Sequence, residues 1–266
     1  MNVPVGPERS VRRVLSDLSL LGASEVDAGV RLLLSGMADV MGAAGAWFLL
    51  TRRDLDSTPG WSPFTMSYLN PSAEHDDVVR RWFKERDLSD SPSVLAVVQG
   101  AGSVRVLRVK AEVPPERWAG SFTQRDLARL GLQDRIVGGL PVTEEVEVYL
   151  GLDRADADFE PADEAPMRDA LEGLERLARW FALSYGLGTP GPALSPRERD
   201  VLLGLLTGAS EKVLAAERGL RPSYLHQVVV RIYRKFEVAS RAELMALWLG
   251  DARGDAPPSE RTGTYP

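Results

Sequence analysis

Between Pro222 and Phe236 the chain reads PSYLHQVVVRIYRKF, and at roughly 100° per residue Leu225, Val229, Ile232 and Phe236 fall on one narrow stripe of a helix. The opposite face then carries Ser223, Gln227, Val230, Arg231 and Arg234, with Tyr224 and Lys235 on its edges. These side chains suit contact with a nucleic-acid duplex. An amide or guanidinium pairs two groups of a base edge at once, a valine meets a thymine methyl, and a cation meets phosphate. Catalytic constellations are absent from the sequence by comparison. There is no cysteine, which removes disulfides, thiolate metal sites and cysteine nucleophiles together. The two histidines, His75 and His226, lie far apart in the chain. His75 with Asp76 and Asp77 reads as the polar start of a helix, while Glu144, Glu145 and Glu147 read as turn and strand-face charges. No Gly-rich phosphate loop appears, so the residues indicate a binding protein, not an enzyme, and call for no cofactor.

A reading face needs neighbours that hold its helix rigid, and the flanking sequence supplies them. Ser195, Pro196 and Glu198 form a capping box with proline at the first helical position, opening a helix that carries Val201, Leu202, Leu205 and Leu206 inward and stops at Gly208. Ser210 caps a second helix running to Arg218, and Gly219 suits the left-handed position of a tight turn into the third. Arg221 then stands at the third helix's cap, an unusual place for a cation. Ser240 and Glu243 open a fourth helix through Leu244, Leu247 and Trp248.

These residues resemble the C-terminal domain of LuxR-type regulators. Three blocks carry the resemblance: Ser195 to Glu198, Ser210 to Ala215, and Lys235 to Leu244. It implies an all-α four-helix helix-turn-helix domain at residues 194–250, with the third helix in the major groove. Arg221, Tyr224, Leu225, His226 and Val228 depart from the family's usual start of that helix. The family's target sequence therefore does not transfer.

The net charge of -6 hides an asymmetry. From Leu194 to Gly250 nine Lys and Arg stand against six Asp and Glu, a surplus of +3, whereas Met1 to Ala193 carries -8. The basic balance sits where phosphate would want it. A chain of 266 residues, 44% hydrophobic, suits two domains. Gly188 to Ala193 (GTPGPA) reads as a linker between residues 1–187 and 194–250, and residues 251–266 as a disordered tail.

In the first part, Ser10 to Leu21 and Glu25 to Met41 have helical spacing, as do Asp76 to Glu85 and Gln124 to Leu130. Ala46 to Thr51, Ser103 to Val113, Arg135 to Val142 and Glu145 to Leu152 read as strands, and Ala162 to Tyr185 as one long closing helix. That order predicts an α+β domain, an antiparallel sheet with flanking helices. The run from Val148 to Gly186 resembles the end of a GAF-type sensory domain, which implies a sensing role without naming a ligand. Five tryptophans precede the linker; they could line a ligand pocket, but buried aromatics usually serve the core, and core is the preferred reading. The grouping of Trp61, Tyr68, Asp76, Asp77 and Trp82 lacks the Trp-x-x-x-Tyr spacing and Asp-Pro pair of autoinducer-binding domains.

With no secretory or membrane-spanning segment in the sequence, a cytoplasmic protein is expected. Its expected partners are double-stranded DNA, a second copy of itself through the helices Ser10 to Leu21 and Ala162 to Tyr185, and RNA polymerase; a small-molecule ligand is left unassigned. Two other readings stay open: an interaction module whose first domain only dimerises, and a sigma-factor-like promoter-recognition protein.

Overall fold

A computed structural model describes residues 10–70, 72–84 and 91–250. Two compact units divide the chain between Ala182 and Leu183. The expected tail at residues 251–266 and the end of the helix expected to reach Glu85 lie outside the described residues. Among those described, no helix is long and apolar enough to cross a membrane.

The first unit opens with helices α1 (Val11–Ser19) and α2 (Val26–Met41). Ser10 caps α1 by accepting the Arg13 N–H, and Gly42 ends α2 in the left-handed conformation. Strands β1 (Gly45–Arg53) and β2 (Trp61–Tyr68) follow, then α3 (Ala73–Trp82), α4 (Pro92–Gln99) and β3 (Arg105–Arg108). After the short helices α5 (Val109–Glu112) and α6 (Pro115–Trp118) come α7 (Phe122–Arg129), β4 (Asp134–Thr143), β5 (Val146–Arg154), α8 (Glu164–Gly173) and α9 (Glu175–Ser184). The strands form one antiparallel sheet in the order β2-β1-β5-β4-β3.

Strand alternation sorts the apolar residues onto two faces. Phe48, Leu50, Leu150 and Leu152 are fully buried on one, where Phe48 meets Phe181 of α9 at 5.2 Å between ring centres. Trp47, Leu49, Val137 and Tyr149 occupy the other, and pack with Val109, Val113, Trp118 and Leu127. Helices thus cover both faces of the α+β unit.

Several elements differ from the sequence reading. Strand β2 was missed because WSPFTMSY holds Pro63 in a mixed pattern, which an edge strand tolerates. Helices α4 and α6 were missed too. The strand expected over Ser103 to Val113 spans only Arg105–Arg108 before the chain turns into α5. The long closing helix is broken: a 3-10 turn at Pro161–Asp163 precedes α8, and Leu174 ends it before α9. Gly173, beside the break, lets Leu15 of α1 within 2.5 Å of where a Cβ would stand. The buried positions of α1, Val11, Val14 and Leu18, pack within this unit against α2 and α8. These three positions are covered within the chain, while Leu20, at the end of α1, is 82% exposed.

In the second unit come α10 (Pro196–Leu206), α11 (Glu211–Glu217), α12 (Pro222–Phe236) and α13 (Arg241–Leu249). The GTPGPA segment is not a free linker. The Leu194 N–H donates to the Tyr185 carbonyl, Lys235 Nζ donates to the Ala193 carbonyl at 2.9 Å, and Gly191 lies against the Lys235 backbone.

One close approach in the sheet gives a direct test. A Cβ on Gly151 of β5 would fall 2.0 Å from the Trp47 indole, its register partner on β1. Gly151→Val is expected to destabilise the first unit by at least about 1–3 kcal/mol in urea unfolding. A change within experimental error contradicts this packing.

Candidate functional site

Three fixed points hold α12. At its start, α11 ends in a Schellman motif: the Leu220 N–H donates to the Ala215 carbonyl and the Gly219 N–H to that of Ala216, with Gly219 at φ 61°. His226 Nδ1 lies 3.0 Å from Glu211 Oε2, joining the first turns of α12 and α11. At its far end Phe236 packs on Trp248 of α13 at 5.6 Å. Beneath it, Leu225, Val228, Val229, Ile232 and Phe236 are buried, one valine more than the expected stripe.

The third point is electrostatic. Glu198, nearly buried on α10, accepts the Ser195 backbone N–H and Lys235 Nζ, both at 2.8 Å, and lies 3.6 Å from Arg231 Nε. Burial pushes its carboxyl up. The hydrogen bonds from Lys235 and from the Ser195 backbone and hydroxyl more than offset that, leaving it below the usual carboxylate range.

The face opposite the stripe is open. Ser223, Tyr224, Gln227, Val230 and Arg234 are exposed, and the Arg231 side chain is 42% exposed. Ser223, Gln227 and Arg234 make no side-chain hydrogen bond or ion pair among the described residues. Lys235 differs from its expected place at the edge of this face: its ammonium is engaged by Ala193 and Glu198 and is mostly covered. Sequence reasoning along one helix also passed over Lys212, exposed next to the His226-bonded Glu211. Its signal was the Ser-x-Lys block. Arg221 stands at the cap of α12 without a side-chain capping bond, as the sequence placed it.

The other blocks turn out to be ties between helices. Ser195 and Glu198 form the full capping box of α10. Ser240 accepts the Glu243 N–H, whereas the Glu243 carboxylate reaches the Ala239 N–H instead of that of Ser240. Arg241 donates to the carbonyls of Leu205 and Ala209, covering the end of α10.

The first unit contains a second feature, two adjoining cavities on the Trp47 face of the sheet. The larger, about 70 Å³, lies between the sheet and α4. The smaller, about 40 Å³, lies between the sheet and α3 and α7. Trp47, Leu49, Trp82 and Arg135 border both. Three of the tryptophans read as core, Trp47, Trp61 and Trp82, therefore also wall a space. Among the described residues, no group of three or more His, Cys, Asp or Glu is placed to hold a metal ion.

A four-helix unit that exposes one polar helix face from three anchors is a helix-turn-helix module. Comparisons with known proteins bear out its resemblance to helix-turn-helix transcriptional regulators. The chain is 34% identical over 70 residues to the "Probable HTH-type transcriptional regulator GfsR" of Streptomyces halstedii, a match covering 26% of this chain and 29% of that protein. It is 30% identical over 83 residues to the "Transcriptional regulatory protein FixJ" of Bradyrhizobium diazoefficiens, covering 31% of this chain and 40% of that protein. The matches thus span well under half the length of these relatives. Among solved structures, Escherichia coli SdiA shares 14% identity at a TM-score of 0.45, over 89% of this chain and 94% of that one. No family profile matches the chain.

The Glu198 tie predicts a pH dependence. A carboxyl whose folded-state pKa lies below its unfolded value adds stability above the unfolded value and loses it as pH falls through the folded one. At neutral pH Glu198→Gln is expected to destabilise the second unit by about 1.5–3 kcal/mol. That deficit should shrink as pH falls through and below the ordinary carboxylate range, read by calorimetric unfolding of both proteins from neutral to acid. A deficit constant with pH contradicts the assignment.

Proposed function

We propose that the chain is a sequence-specific, DNA-binding transcriptional regulator that inserts α12 into the major groove and is controlled through its first unit. One observation carries this reading: α12 offers an exposed row of Ser223, Gln227, Val230, Arg231 and Arg234 while every other side of it is anchored. A helix already anchored spares the backbone's share of the ordering cost on meeting a base edge, leaving only the side chains to be fixed. Two such helices in a homodimer would read half-sites about one helical turn apart, and a signal at the first unit would change their spacing. RNA polymerase would be a further partner. The protein would work in the cytoplasm and perform no covalent chemistry.

The residues divide by role. Gln227 and Arg231 read bases, with Val230 and Tyr224 giving apolar contact and Ser223 a hydroxyl. Arg234, further along α12, meets phosphate, as does Lys212. Lys235 acts from within by fixing Glu198, which in turn lies 3.6 Å from Arg231 Nε.

Binding titrations of the full chain at several salt concentrations, on a duplex selected from a random pool and on unselected DNA, separate these roles. Gln227→Ala or Arg231→Ala should cost about 1–3 kcal/mol on the selected duplex and much less on the other. Arg234→Ala should weaken both alike and reduce the salt slope by about 0.9. Lys235→Met should lower stability and leave that slope unchanged. If the Gln227 and Arg231 variants keep the full sequence preference, α12 is not the reader.

A further inference from the structure

The two cavities of the first unit hold an unsolved hydrogen-bonding problem. Trp47, 6% exposed, has its indole Nε1–H buried with no hydrogen-bond partner among the described residues, and the buried Tyr68 hydroxyl equally has none among them. A buried donor without an acceptor costs about 1–3 kcal/mol, so such groups are rare unless something outside the chain completes them. These two are not scattered. Trp47 and Tyr68 are direct register partners across β1 and β2, so they share a face of the sheet, and both border the smaller cavity.

The charged groups that border the space have partners, and His75 Nδ1 lies 3.0 Å from Ser72 Oγ. Behind Asp126, Arg81 Nε is buried without a hydrogen bond among the described residues, 3.8 Å from Asp77. Arg135, which borders both chambers, is held bidentately by Asp153 at 2.6 and 2.9 Å and lies over the Trp47 ring. Asp126 accepts from Arg81 and from the Trp82 indole, each at 3.0 Å. An ionised ligand would find no counter-charge here and would lose its hydration. The larger chamber is walled by Trp47, Trp61, Trp82 and Tyr149, with Val94 and Val98. Flat rings stack on such walls with little loss of freedom, whereas a flexible chain must be frozen. The chambers measure about 70 and 40 Å³ on a scale where one water needs roughly 10–15 Å³, so the two together have room for about seven to eleven non-hydrogen atoms.

We propose that these chambers bind a neutral, flat ring compound carrying a carbonyl, whose oxygen accepts hydrogen bonds from Trp47 Nε1 and the Tyr68 hydroxyl. A carbonyl oxygen has two lone pairs, matching the two donors. The ring fills the larger chamber against Trp61 and Trp82. This deepens the sensory role proposed for the first unit, since a ligand there bridges β1 and β2 to α3 and α4.

The full chain, labelled with ¹⁵N, tests this without DNA, so failure here is separate from failure of the DNA-binding reading. The six tryptophans supply six indole N–H groups to follow. Trp47→Phe identifies the one that matters. Titration with 1-indanone should move that resonance downfield and saturate. Indane, the same ring without the carbonyl, should bind about tenfold more weakly, and Tyr68→Phe, which keeps its ring, should weaken 1-indanone about five- to tenfold. Octanamide, a chain with a carbonyl, should bind less tightly than 1-indanone. The proposal is overturned if 1-indanone leaves the Trp47 resonance unmoved, which would assign the donors to water. It is equally overturned if indane matches 1-indanone, if Tyr68→Phe binds as the parent does, or if octanamide binds more tightly.

Discussion

The second unit turns on a carboxylate that is almost out of water. Glu198 is part of the cap of α10, and its charge is held beneath α12 by Lys235 and near Arg231. Burying a lone carboxylate is costly, so the site is stable only while its hydrogen bonds and its cation are in place. That requirement fixes the rotation of α12 about its own axis. If the helix turned, Lys235 would leave Glu198 uncompensated and Val228 and Val229 would face water. The outward direction of Gln227 and Arg231 follows from an inward constraint.

This constraint explains why the three sequence blocks were legible. Each block contains a backbone-capping residue or an ion that crosses between helices: Ser195 and Glu198, Ser210, then Lys235, Ser240 and Arg241. Caps and helical stripes are local, and a sequence displays them directly. The partner of a long cation is not local. Lys235 sits at the edge of the polar face by periodicity alone, and only the folded chain reveals the Ala193 carbonyl and Glu198 behind it. For the same reason GTPGPA looked like a spacer, although Gly191 lies against the α12 backbone where a Cβ would not fit.

The first unit was legible in class and less so in detail. Runs of apolar, β-rich residues gave most of β1, β4 and β5, because these strands are buried on both faces. Strand β2 and the helices over the cavity carry weaker patterns because they are only half buried. The cavity itself rests on non-local matches: Gly151 makes room for the Trp47 indole, and Arg135 and Asp153 cover it. Tryptophan content suggests either a core or a pocket wall, and only the folded chain shows that Trp47 and Trp61 serve as both. The result is a second unit with one rigidly anchored polar helix face, and a first unit with two adjoining interior chambers.

A double-mutant cycle across Glu198 and Lys235 tests the central claim most directly. Unfolding of the full chain, monitored at the second unit's transition, would be measured for the parent, Glu198→Gln, Lys235→Met and the double variant. The pair's burial predicts a coupling of about 1.5–3 kcal/mol, with the double variant much less destabilised than the two single effects combined. Single effects that add within about 0.5 kcal/mol would contradict a buried ion pair as the anchor of α12.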